Sequence, residues 1–99
     1  YGLVSDMTSI PAMQGSGFPV VFDATHSAQI PGGEATTGGQ RNMIPILAKA
    51  AVASGCDGLF MEVHDNPDEA KSDAATQWPL DQLEKLLLQL QKVHQAVNG

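Results

Sequence analysis

Two short apolar runs, Pro19 to Phe22 and Gly58 to Met61, show no alternation of polar and apolar positions. A strand packed on one face alternates, whereas a strand covered on both faces reads as a continuous apolar run, so these runs predict buried strands of the parallel type. Between them Ile44, Leu47, Ala48, Ala51 and Val52 recur at steps of three and four, the stripe of an amphipathic helix. Gly55 stands where a left-handed cap closes such a helix, and Pro45 fits only in its first turn. Near the start, the apolar stretch Leu3 to Met7 followed by Thr8, Ser9 and Pro11 predicts a strand leading to a helical turn near Ala12 and Met13. Gln14 to Gly17 reads as a turn.

The first of the two apolar strands should end between Asp23 and His26. Ser27 to Arg41 then holds four glycines and a proline with little periodicity, which predicts a long loop. Asn66 and Pro67 predict a brief acidic helix to about Lys71. Asp81 with Glu84 forms a capping-box-like pair, Asp replacing the usual Ser or Thr, at the head of a last helix. Leu83, Leu86, Leu87, Leu90, Val93 and Val97 share one side of it and are expected to pack on the sheet, with Gln82, Lys85, Gln89 and Lys92 solvated.

Apolar strands alternating with helices imply the α/β class, a parallel sheet built from right-handed crossovers. Only about three strand-helix units are present, whereas a closed eightfold barrel takes about 250 residues. Residues 1–99 are therefore expected to be a single partial domain. Unpaired sheet edges and an uncovered inner face predict poor independent stability.

Composition narrows the function. An apolar fraction of 42% supports a core, and eleven acidic against five basic residues leave a net charge of −6. That charge repels nucleic-acid phosphates and anionic lipid, so neither is an expected partner. One cysteine, Cys56, rules out an internal disulfide framework and suits a reducing compartment, hence an expected cytoplasmic setting. The chain begins at Tyr1 with no signal region and no apolar run near the length of a membrane span, and reads as a soluble chain whose natural beginning is missing.

In parallel α/β folds the loops leaving the carboxyl ends of the strands converge on one rim. His26 and Glu62 both fall there, and Asp73, in the loop after the second strand, can fold back over it. One nitrogen and two oxygen donors suit a divalent ion such as Fe²⁺, Mn²⁺ or Zn²⁺. Spacing alone is a weak signal for this and fits a hydrogen-bonded rim histidine beside two solvated acids better. Asp23 fits a partner of His26 or a barrel-lining residue. His64 fits a residue orienting a ligand from behind or a loop histidine without catalytic duty. Cys56 fits a small buried hydrophobe, and Trp78 an anchor for the last helix or a contact to a neighbouring subunit.

Phe22-Asp23-Ala24-Thr25-His26-Ser27, Ala51 to Cys56 with Asp57-Gly58-Leu59-Phe60-Met61-Glu62-Val63-His64, Ala70-Lys71-Ser72-Asp73-Ala74 and Gln77 to Leu80 resemble, in order and spacing, the 3-deoxy-D-manno-octulosonate 8-phosphate synthases. The resemblance runs from about Leu3 onward. It implies the C-terminal portion of a (β/α)8 TIM barrel, strands six to eight with their helices, in an enzyme that condenses phosphoenolpyruvate with arabinose 5-phosphate. It further implies a homotetramer, with His26, Glu62 and Asp73 as metal ligands and His26 and Asp73 as catalytic groups. Gln29 and the glycine-rich stretch to Arg41 match a segment that closes over the sugar phosphate, making Gln29, His26 and Arg41 substrate contacts. Arg41 beside a helix start suits a phosphate, or is an ordinary surface charge.

The family's fourth ligand is a cysteine on an early strand, absent from this sequence. Cys56 cannot replace it, because six residues at about 3.3 Å each put it roughly 20 Å from the Glu62 rim. Lys71-Ser72-Asp73-Ala74 is closer to the metal-dependent branch than the Cys-Asp-Gly of the metal-independent one. A rival resemblance is to the 3-deoxy-D-arabino-heptulosonate 7-phosphate synthases, which take erythrose 4-phosphate and carry Asp-Pro-Ser-His where this chain has Asp23-Ala24-Thr25-His26. A rival of another class is a non-catalytic fragment that folds only against a partner chain.

Overall fold

The computed structural model describes residues 6–28, 41–69 and 76–98. The two apolar runs do pair in parallel. β1 (Val21–Asp23) lies beside β2 (Gly58–Phe60), with Val21 opposite Gly58 and Asp23 opposite Phe60. Backbone bonds extend the pairing at both ends: Asp57 N donates to Val20 O at 2.9 Å, and Ala24 N to Phe60 O at 3.0 Å. Helix α1 (Ser9–Gln14) precedes β1, with Pro11 inside it. The strand expected within Leu3 to Met7 falls mostly outside the described residues; Asp6, Met7 and Thr8 lead into α1 without strand structure.

Helix α2 (Met43–Ala53) spans from β1 back to β2 and buries Ile44, Ala48 and Ala51, with Leu47 and Val52 packed against the same core. Pro45 sits in its first turn, where a missing N–H costs nothing. Gly55, one residue past the capping Ser54, has φ +91°, the left-handed conformation that only glycine adopts without steric penalty. The opposite rim is tied down by Asp57, whose Oδ2 accepts from Val20 N at 2.7 Å and Gln14 Nε2 at 3.1 Å. The Val20 amide, then Gln14, hold this carboxyl below the usual carboxylate range.

A second parallel pair, absent from the sequence reading, joins β3 (Val63–His64) to β4 (Trp78–Pro79). Each strand is two residues long, too short to show a period, and Pro79 argues against a strand on composition alone. The acidic turn expected after Asn66 is a 3-10 turn, Pro67–Glu69, closed by Glu69 N donating to Asn66 O at 3.0 Å. Its expected continuation to Lys71 lies outside the described residues.

The last helix, α3 (Leu83–Asn98), is entered through another 3-10 turn, Leu80–Gln82, headed by Pro79 in extended conformation with no side-chain cap. The capping box expected from Asp81 and Glu84 is therefore not what opens it; Asp81 lies inside the 3-10 turn, and Pro79 supplies the stop and restart. α3 packs mainly along α2 rather than on the sheet. The shared core joins Ala24, Ala28, Ile44, Ala48, Trp78, Leu86 and Leu90.

Two burial expectations are corrected. Val21 is 62% and Phe60 48% exposed, so the strands are not covered on both faces. Leu87 and Val97 on the stripe of α3 are also about half exposed. In both cases the described helices cover one side only, and the apolar patterning asks for more cover than these residues provide. No helix among the described residues is long and apolar enough to cross a membrane.

Candidate active site at the carboxyl ends of the strands

β1 ends at Asp23, and the chain turns through Ala24 and Thr25 into a 3-10 turn, His26–Ala28. Asp23 makes this turn. Its Oδ1 accepts from Thr25 N and Thr25 Oγ1, both at 3.1 Å, and from His26 N at 2.9 Å. Such bonding of an aspartate to the backbone two and three residues on is the usual way a short acidic side chain stabilises a turn. Its Oδ2 lies 2.6 Å from His26 Nδ1. Burial by itself raises the Asp23 pKa, but the hydrogen bonds from the His26 amide, the His26 ring and the Thr25 hydroxyl outweigh it and hold the carboxyl below the usual range. An ionised carboxylate only accepts, so Nδ1 carries a proton toward Asp23 and Nε2 is turned to the other side.

On that other side stands Glu62, two residues past β2. His26 Nε2 lies 3.0 Å from Glu62 Oε1. The contact is close enough for an ion pair, yet Oε1 is buried without a well-aligned hydrogen bond. The Glu62 backbone is clasped from both sides: its N–H donates to the hydroxyl of fully buried Thr25 at 3.3 Å, and its C=O accepts from Trp78 N at 2.8 Å. Phe60 stacks on the His26 ring, with centroids 6.4 Å apart and planes at 17°. One imidazole nitrogen and one carboxylate oxygen therefore converge at the ends of adjacent parallel strands.

Of the other residues singled out from sequence, Asp73 and Gln29 lie outside the described residues. Among the described residues no three His, Cys, Asp or Glu side chains are grouped to hold an ion. The side chain of Arg41 is largely buried, with Nη2 3.3 Å from Asp68 Oδ1. His64 belongs to β3 rather than a loop, and its Nδ1 accepts from Asn66 N at 2.9 Å. Cys56 is partly exposed rather than fully buried and lies before β2, at the end opposite Glu62; burial, then the charge of Asp57, push its thiol pKa up. Trp78 is buried in the core, as an anchor for the last helix should be. Thr25 was missed as a site residue. The signal for it was the aspartate two positions earlier, a pairing typical of turns.

The sequence profile of the DAHP synthetase I family matches residues 2–99. The chain belongs to the DAHP synthetase I family. Within it, the chain is 53% identical over 98 residues to a 2-dehydro-3-deoxyphosphooctonate aldolase of Alkalilimnicola ehrlichii, covering 98% of this chain and 35% of the relative. A 2-dehydro-3-deoxyphosphooctonate aldolase of Dechloromonas aromatica is 56% identical over 97 residues, covering 97% of this chain and 35% of the relative. The chain thus spans about a third of the length of these curated relatives. Among solved structures, a phospho-2-dehydro-3-deoxyheptonate aldolase (DAHP synthase) of Thermotoga maritima superposes with a TM-score of 0.77 at 28% identity, over 93% of this chain and 24% of its own. A truncated 3-deoxy-D-arabino-heptulosonate 7-phosphate synthase of the same organism gives 0.76 at 24% identity, over 93% and 32%, and speaks to the fold alone. The family fold present here is part of a (β/α) barrel with parallel strands.

Proposed function

We propose that this chain is the C-terminal part of an enzyme that joins phosphoenolpyruvate, arabinose 5-phosphate and water into 3-deoxy-D-manno-octulosonate 8-phosphate and phosphate. The observation that carries the reading is the meeting of His26 Nε2 and Glu62 Oε1, 3.0 Å apart, at the carboxyl ends of β1 and β2. That rim is where the active sites of parallel barrels gather. The octulosonate acceptor is favoured over the heptulosonate one by identities of 53% and 56% to aldolases of the first kind, against 28% to a synthase of the second.

In this reading residues 1–99 form one partial domain, strands six to eight of the barrel. The uncovered Val21 and Phe60 side chains support it, because they ask for further strands. The whole enzyme is cytoplasmic and homotetrameric, and acts on small molecules rather than on nucleic acid or membrane.

A divalent ion, Fe²⁺, Zn²⁺ or Mn²⁺, fits the donors. Two donors about 2.1 Å from a shared ion stand roughly 3.0–3.4 Å apart at octahedral to tetrahedral angles, and a buried carboxylate oxygen without an aligned donor is in want of a cation. His26 and Glu62 would hold it, with Asp73 as the third ligand of this chain and a cysteine from another part of the enzyme as the fourth. When bound, such an ion supplies Lewis acidity, polarising an aldehyde oxygen or acidifying water.

The chain's own residues do the rest. Asp23 keeps the Nδ1 proton of His26, Phe60 supports the face of the ring, and Thr25 with the Trp78 amide holds Glu62 in place. Gln29, His26 and Arg41 contact the substrates, and Asp68, 3.3 Å from Arg41 Nη2, holds that guanidinium. Two phosphorylated substrates need more cations than this acidic segment carries, so the remaining Lys and Arg groups come from elsewhere in the enzyme.

Assay of the intact enzyme with phosphoenolpyruvate and either arabinose 5-phosphate or erythrose 4-phosphate tests the acceptor, and repeating it after thorough chelation tests the metal. Turnover of arabinose 5-phosphate, lost on chelation and restored by Zn²⁺ or Mn²⁺, is expected. A preference for erythrose 4-phosphate overturns the acceptor assignment. Full activity after chelation overturns the metal.

A further inference from the structure

His26 is reached by carboxylates from both sides, and the two contacts differ in kind. The Asp23 contact, at 2.6 Å to Nδ1, meets hydrogen-bond geometry, whereas the Glu62 contact, at 3.0 Å to Nε2, leaves Glu62 Oε1 without an aligned partner. Asp23 also reaches the second donor indirectly. Its Oδ1 takes the Thr25 hydroxyl proton, which turns the lone pairs of that hydroxyl toward the Glu62 N–H at 3.3 Å. Thr25 is fully buried, so its hydroxyl is shielded from solvent. A single carboxylate thereby reaches both strand ends that present the donors, one directly and one through Thr25.

We propose that Asp23 is the positioning residue of this site: it fixes the tautomer of His26 with the proton on Nδ1 and, through Thr25, fixes the strand end that carries Glu62. The consequence is that the Nε2 lone pair and the Glu62 carboxylate face a common point before anything binds there. This role deepens the metal reading above and rests on it for its consequence, though not for its geometry. A histidine whose far nitrogen donates to a carboxylate is both oriented and made a better donor. Asparagine at position 23 is the discriminating change. Its carbonyl can keep the three turn bonds to Thr25 and His26, but its amide donates where the carboxylate accepted, which forces the proton of a neutral ring from Nδ1 to Nε2 and points a hydrogen at Glu62.

The experiment uses the intact protein, metal-free and at alkaline pH where the ring is neutral, with ¹⁵N-labelled histidine and His26→Gln to assign the signal. Wild type should show the pyrrole-type nitrogen at Nδ1 and Asp23→Asn should show it at Nε2, with unchanged circular dichroism. Zn²⁺ affinity, read by competition with a chromogenic chelator, should fall about 10–100-fold in Asp23→Asn. Thr25→Val should lower the affinity while leaving the tautomer as in wild type, and Thr25→Ser should restore it. If the proton stays on Nδ1 in Asp23→Asn, or already sits on Nε2 in wild type, the positioning role is overturned. If the proton moves as expected but wild type itself binds no Zn²⁺, the tautomer role stands and the metal reading fails.

Discussion

At the scale of single residues, the site is a balance between carboxylates and one imidazole, and its response to acid follows. The Asp23 carboxyl is held below its ordinary value in the folded chain. A group with a depressed folded pKa contributes stability above its unfolded value, about 3.9, and loses it as pH falls through the folded value. Asp23→Asn should therefore flatten the acid limb of stability below about pH 4, measured by melting temperature across pH. An unchanged slope would mean that the hydrogen bonds to His26 and Thr25 are not made in solution. Glu62→Gln keeps the size of the side chain and removes its charge, so under the proposed metal-dependent reaction it should lower bound metal and turnover of the intact protein together; metal content by emission spectroscopy and a steady-state assay read the pair. Loss of turnover with full metal occupancy would place the role of Glu62 elsewhere.

At the scale of elements, the helix between the strands was the most legible part of the chain. Ile44, Ala48 and Ala51 are buried as their spacing implied, and Gly55 adopts the left-handed cap. Gly55→Ala should cost about 1–2 kcal/mol by forcing a Cβ into that conformation. Leu86→Ala should cost more, about 2–5 kcal/mol, because Leu86 is almost fully buried in the shared core. Urea denaturation of the intact protein measures both, and a smaller loss for Leu86 than for Gly55 would contradict the core described here. Elements set by long-range pairing were not legible. Val63, His64, Trp78 and Pro79 become strand only because each finds a partner about fifteen residues away in sequence, a fact no local pattern carries. Likewise the rim position of His26 and Glu62 followed from strand order, whereas the clasp of Glu62 by Thr25 and Trp78 depends on which chains lie side by side.

At the scale of the whole molecule, the apolar surface is larger than the described helices cover. Phe18, Val21 and Phe60 are substantially exposed, as are Ile46, Leu87 and Leu88 on the helices. Large apolar side chains left exposed on both strands and helices ask for further cover. The chain produced by itself should bind a hydrophobic dye and melt with low cooperativity, and the intact protein should do neither. A sharp melt of the isolated chain without dye binding would show that these residues need no further cover.

β2 and β3 are one length of chain interrupted at Met61 and Glu62, where the neighbour changes from β1 to β4. Successive side chains in extended chain point to opposite faces, so a shift by one position turns a residue to the other face. The stretch from Gly58 to His64 should consequently be intolerant of any change in length. A single codon gained or lost there would swing the Glu62 carboxylate away from His26 while sparing the composition of the protein, so natural variation in loop size must be confined to other parts of the chain.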